Sequence, residues 1–296
     1  SAGGFSGVNL SNTNLSTQGE VNIQGSTAST NSNSVGVNLR GNGTVTVSSG
    51  NLSINGTATA AATALAIGGG NTTFNSSAGN ISILGTGSVV NSRGIVFSSG
   101  NITTVGNNLS IAGAASTSGT AVCMTGANVN FSLGGTLNIS ATGNTTASAF
   151  SQGMDLSGNT SIAVTNGTLN LNGAGSSYGV LLGGGNATLS AAAGTNLNIT
   201  GQGVYSGGSG VQARGVTINS GNITSSGNVT VTGMGSVNGD GLYLVGQNIG
   251  INVTSGNLSL VGNSSAGGFS GVNLSSSNLT VSSTGGALSI YGVTGS

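Results

Sequence analysis

Residues Gly50–Gly56 read GNLSING, with the apolar residues Leu52 and Ile54 one apart between Asn51, Ser53 and Asn55. Alternation at period two places Leu52 and Ile54 on one side of a strand and their polar neighbours on the other. The phrase recurs: Val21-Asn22-Ile23, Ile81-Ser82-Ile83, Leu109-Ser110-Ile111, Leu137-Asn138-Ile139 and Leu169-Asn170-Leu171 share the form. Leu197-Asn198-Ile199, Val229-Thr230-Val231, Leu258-Ser259-Leu260 and Leu288-Ser289-Ile290 complete a set of ten. Nine of the ten carry Gly two residues after the second apolar residue.

A second triplet precedes each of these. It begins at Val8, Val37, Leu65, Ile95, Val122, Met154, Val180, Val216, Leu242 and Val272. A weaker middle triplet lies between, clearest at Val45-Thr46-Val47, Val129-Asn130-Phe131, Ile162-Ala163-Val164 and Leu279-Thr280-Val281. The steps from Val8 to Val272 range from 26 to 36 residues and average about 29. The longest step holds a Gly- and Ser-rich insertion, 201–213, with Tyr205 in it; matching Gly94–Thr103 (GIVFSSGNIT) to Gly215–Thr224 (GVTINSGNIT) fixes the register around it.

One short strand cannot bury its apolar side alone, but coils stacked on coils bury three inward rows and pair every backbone group with a neighbour. The expected fold is therefore all-β: one right-handed parallel β-helix over residues 1–296, about ten coils of roughly 29 residues with three short strands each. Gly and Asn at the corners supply positive φ. The absence of Pro preserves every ladder bond. Strands spaced about 4.8 Å apart make a rod of roughly 45 to 50 Å.

The chain has 58 Gly and neither Lys nor His; its six formal charges are Arg40, Arg93, Arg214, Glu20, Asp155 and Asp240. No basic patch is available to neutralise nucleic-acid phosphates. No apolar run approaches the roughly 18 residues of a membrane helix, and no leader segment is visible. Without His or Lys the usual general bases and Schiff-base nucleophiles are missing, so no enzyme is expected. Asp155 and Asp240 fall three coils apart, at least about 14 Å, too far for paired-carboxylate hydrolysis. The acidic residues read as isolated outward charges. No metal site or cofactor is expected, since calcium needs several carboxylates together.

The phrases GNLSI (Gly50–Ile54), GTLNI (Gly135–Ile139) and GNVTV (Gly227–Val231) resemble the shaft repeats of large bacterial surface proteins. Filamentous haemagglutinin-like exoproteins of two-partner secretion and autotransporter-type adhesins are the nearest in style, over essentially the whole chain. The resemblance implies a secreted, cell-surface, elongated stalk that displays adhesive parts.

The function expected on these grounds is an extracellular structural filament or adhesin shaft, stiff and protease-resistant. A receptor- or glycan-binding module is the alternative, and an ice-binding protein a remote one. Partners would be the rod itself, end to end or laterally, continuation of the same chain, or a host-cell or glycan receptor. Residues 1–11 (SAGGFSGVNLS) recur unchanged at 265–275, which suggests a segment of a longer chain or a subunit that stacks. The outward residue of the third triplet is always Asn, Ser or Thr. In the first triplet Ala66, Val96, Cys123, Leu181 and Tyr243 should turn apolar or aromatic groups outward, making that side the candidate interaction face. Cys123 reads as a small surface residue, and Tyr205 as the loop contact.

Overall fold

The structure is a computed structural model that describes residues 4–104, 107–126, 128–145, 150–205, 212–236, 238–265, 268–275 and 278–295. The chain winds as a β-solenoid of about nine turns, so that three parallel sheets each hold ten strands. The first rung is β1 (Ser6–Ser11), β2 (Asn14–Thr17) and β3 (Val21–Thr27), one strand in each sheet. The second is β4 (Val35–Arg40), β5 (Thr44–Val47) and β6 (Leu52–Ala58). The tenth comprises Val272–Leu274, Leu279–Ser283 and Leu288–Thr294. Among the described residues no helix is long and apolar enough to cross a membrane.

The ladders place the repeated triplets in register: Val8 pairs with Val37, Val37 with Leu65, Leu169 with Leu197 and Leu197 with Val229. The middle triplets obey the same alternation but not one register. Val45 shares its row with Phe74, Ile102, Phe131 and Ile162, whereas Val129 and Leu279 stand one inward position earlier. A two-residue shift leaves every side chain on its own side, so sequence alternation alone cannot detect it.

The inward rows form one continuous core. Leu52, Ile54, Leu65, Phe74, Ile81 and Ile83 have no exposed surface. Each such side chain contributes roughly 1.5–3 kcal/mol on burial. Phe97 of the first sheet meets Phe131 of the second edge-on, ring centroids 5.6 Å apart at 72°. At the corner after the first sheet the chain turns through left-handed residues such as Asn12 (φ 52°) and Gly41 (φ 79°).

The corner between the third and first sheets is pinched. Missing side chains at Gly25, Gly173, Gly201 and Gly262 leave room for the carbonyl oxygens of Gly36, Gly179, Gly215 and Gly271. Where one member of such a pair carries a methyl group the other is Gly, as in Gly56 against Ala64 and Gly113 against Ala121. This explains the glycine that follows nine of the ten third-sheet triplets: the two sheets approach too closely for a Cβ. Gly201 belongs to this row, and its strand runs on as Asn196–Gly203. The excursion expected over 201–213 therefore leaves the sheet only after Gly203. Its middle, residues 206–211, lies outside the described residues.

Candidate binding face

The pinch shapes the outer side of the first sheet. In Arg93-Gly94-Ile95-Val96-Phe97 the burial runs exposed, buried, buried, half-buried, buried, so two-residue alternation breaks at Gly94. Gly94 is pressed between the third sheet and the next strand of its own sheet, where a Cβ would meet the backbone of Ala114 and Ala121 respectively. The residue before it, Arg93, is thereby tipped outward on the same side as Val96. The same row holds Ser6, Val35, Thr63, Thr120, Gln152, Tyr178 and Arg214. These side chains make one wall of a shallow trough along the rod.

Over the first four rungs the trough opens to a groove of about 470 Å³. Asn38, Ala66 and Val96 form its floor, Thr63 and Arg93 one wall, and Arg40 with Ser98 the other. Further along, Cys123 pairs in register with Asp155. Over rungs seven to nine, Leu181, Thr217 and Tyr243 follow one another in a single row. There the Arg214 guanidinium carbon lies 3.9 Å from the centre of the Tyr243 ring, a cation–π contact.

Four of the expected face residues lie here half-buried: Ala66, Val96, Leu181 and Tyr243. Cys123 departs from expectation. It stands at an outward position but is 5% exposed, because Val96 and Asp155 stack one rung to either side. Burial pushes its thiol above the ordinary value, opposed by a hydrogen bond with the Thr125 hydroxyl and reinforced by the nearby Asp155 carboxylate. Asp240 is likewise not a surface charge: it is 5% exposed, and its Oδ1 accepts the Ser270 N–H at 2.8 Å. Asp155 is half-buried and accepts the Ser157 N–H at 3.1 Å; burial raises its carboxyl above the ordinary range. Tyr205 is half-buried beside the excursion, its carbonyl accepting from the Ser236 hydroxyl at 2.7 Å.

The face is therefore not an exposed apolar strip. It gathers the chemistry that the rest of the surface lacks. Arg40, Arg93, Asp155 and Arg214 lie on first-sheet strands and Asp240 just before one, leaving Glu20 alone elsewhere. Among the described residues, the buried side-chain atoms without a hydrogen-bond partner are Asn38 Oδ1, Arg214 Nε, Thr217 Oγ1 and Asn219 Oδ1. All four belong to the first sheet or the residue following it. Each unpaired buried polar atom costs about 1–3 kcal/mol unless something completes it. Sequence reasoning passed over the arginines, Asn38 and Thr217. One signal was present: the residue before the corner Gly or Ala varies freely, as in Gln152-Gly153, Tyr178-Gly179 and Arg214-Gly215.

The outer rows of the third sheet contrast with this. Asn138, Asn170 and Asn198 form a side-chain ladder, Asn170 Nδ2 donating to Asn138 Oδ1 at 2.7 Å and Asn198 Nδ2 to Asn170 Oδ1 at 2.9 Å. A corner ladder runs beside it, where Asn51 Oδ1 accepts from Asn80 N at 2.9 Å and Asn80 Oδ1 from Asn108 N at 3.3 Å. These rows satisfy themselves and present an uncharged, hydrated surface. No protein-family model matches the chain, and no curated protein sequence matches it.

Proposed function

We propose that the chain is a non-catalytic extracellular rod of the adhesin-shaft kind, whose work is to hold a fixed, stiff length at the cell surface. The observation that supports this most is the continuity of the three ladders, with self-satisfying Asn, Ser and Thr rows outside the third sheet. Such a solenoid resists bending because each rung is held by its neighbours through backbone bonds on three sides.

Electron microscopy of the native material tests it, together with limited proteolysis and the subunit mass. Thin continuous filaments or long stalks, resistant to protease, are expected. Isolated short particles that are digested rapidly would refute it.

A second reading, a receptor- or glycan-binding module, is favoured by one specific observation: charges and unpaired buried polar atoms concentrate on the first-sheet face. A glycan panel probed with the intact chain separates the two, since a pure shaft binds nothing on it.

A further inference from the structure

We infer that the groove over rungs one to four is a binding site for an acidic oligosaccharide, with Arg40 and Arg93 as the groups that hold its acids. The inference rests on the glycan-binding reading and gives it a site and a ligand class.

Charge comes first. Arg40 and Arg93 are both exposed, stand two rungs apart and flank the groove from opposite walls. Two rungs correspond to roughly 9–10 Å along the rod. No carboxylate lines the groove, and the next one on this face, Asp155, is two rungs beyond Arg93. Neither guanidinium makes a hydrogen bond or ion pair with a described residue. Two forks of donors, each suited to a carboxylate or sulfate, are therefore unspent.

The lining supplies the rest. Hydroxyl and amide groups of Ser6, Asn33, Thr63 and Ser98 surround a small apolar floor of Ala66 and Val96. Hydroxyls and amides donate and accept alike, which suits a ligand covered in hydroxyls. Asn38, 8% exposed, lies in this floor; its Nδ2 donates to Asn9 Oδ1 at 3.1 Å while its Oδ1 has no partner. Gly68 keeps the wall open between Arg40 and Ser98, since a side chain there would collide with the Ser98 hydroxyl.

An acidic peptide is disfavoured by the backbone. The floor residues Asn38, Ala66 and Val96 lie on strands that pair on both sides, so the floor itself offers no free edge to a peptide strand. A sugar chain needs no such edge. It would lie along the rod with an acid group near each arginine and its hydroxyls on the polar walls.

The test is fluorescence anisotropy on the full chain at low ionic strength, with a labelled oligogalacturonide as the probe. Its methyl-esterified form serves as the neutral counterpart and polyglutamate as the acidic peptide. The acidic sugar should bind, more weakly as salt rises, and the ester at least about tenfold more weakly. Arg40→Gln and Arg93→Gln should each lose about tenfold with unchanged melting curves, while Glu20→Gln, the one charge off this face, should bind as the parent does. Salt-independent binding of the unmodified chain would overturn the proposal without recourse to any variant. So would polyglutamate binding as tightly as the sugar, or full binding kept by both groove variants. If the ester binds as well as the acid and the groove variants keep it, the glycan-binding reading survives and this site falls. If no sugar on the panel binds, both fall.

Discussion

Gly201 packs directly against the carbonyl oxygen of Gly215, leaving no room for a methyl group between the third and first sheets. The contact repeats up the rod. Gly201→Ala should destabilise the chain by about 1–3 kcal/mol, the usual cost of overpacking against backbone. Thermal unfolding would register it, and an unchanged midpoint would mean that the corner has room for a methyl group.

Asn228 ties three successive rungs together at the corner before the third sheet. Its Nδ2 donates to Asn196 Oδ1 at 3.1 Å, and its Oδ1 accepts from the Asn257 backbone N–H at 3.0 Å. Asn228→Ala should cost about 0.5–1.5 kcal/mol. Because solenoid stability is close to a sum of neighbour terms, the loss should be local. Amide hydrogen exchange at Asn257 should quicken while exchange several rungs away stays unchanged; a uniform change would count against local coupling.

The Cys123 thiol is buried, and that burial favours the protonated form against the opposing Thr125 hydrogen bond. Thiol reagents need the thiolate and access to it. Labelling of the folded chain at neutral pH should therefore be slow and should become fast on denaturation. Rapid labelling of the native chain would contradict the burial.

Asp155 makes stability depend on pH. Its folded carboxyl sits above the ordinary value near 3.8, chiefly through burial, so the fold holds this proton more tightly than the unfolded chain does. Its contribution thus favours the fold at low pH and is lost as pH rises through the raised folded value. Asp155→Asn, which keeps the side chain neutral, should melt above the parent near neutral pH. The gain should shrink as pH falls below about 3.8, where both states of the parent are protonated. A constant gain at all pH values would point to packing instead of ionisation.

Much of this architecture is legible in the sequence because side-chain sidedness is a local property. Leu52-Ser53-Ile54 alternates, and alternation at period two is enough to send Leu52 and Ile54 inward and Ser53 outward. The repetition of that phrase set the number of rungs and the register of the first and third sheets. It did not locate the shift between Val129 and Val45, since both lie on the same side of their strands.

The candidate site was legible only in part. Ala66, Val96, Leu181 and Tyr243 stand in one row of the first sheet, because equivalent positions in successive rungs must stack. Their depth was not readable, and neither was the burial of Cys123, Thr217 and Asp240. Exposure at an outward position depends on what stands a rung above and below and on how the sheet curves. At the glycine-lined pinch two-residue alternation breaks, which leaves Arg93 exposed beside Val96, across the groove from Arg40. The sequence by itself determined a neutral, three-sided stack of strands, since that needs only the alternation and the repeat. Only the tertiary structure decided which side carries the chemistry, because that depends on how closely two sheets approach at a corner.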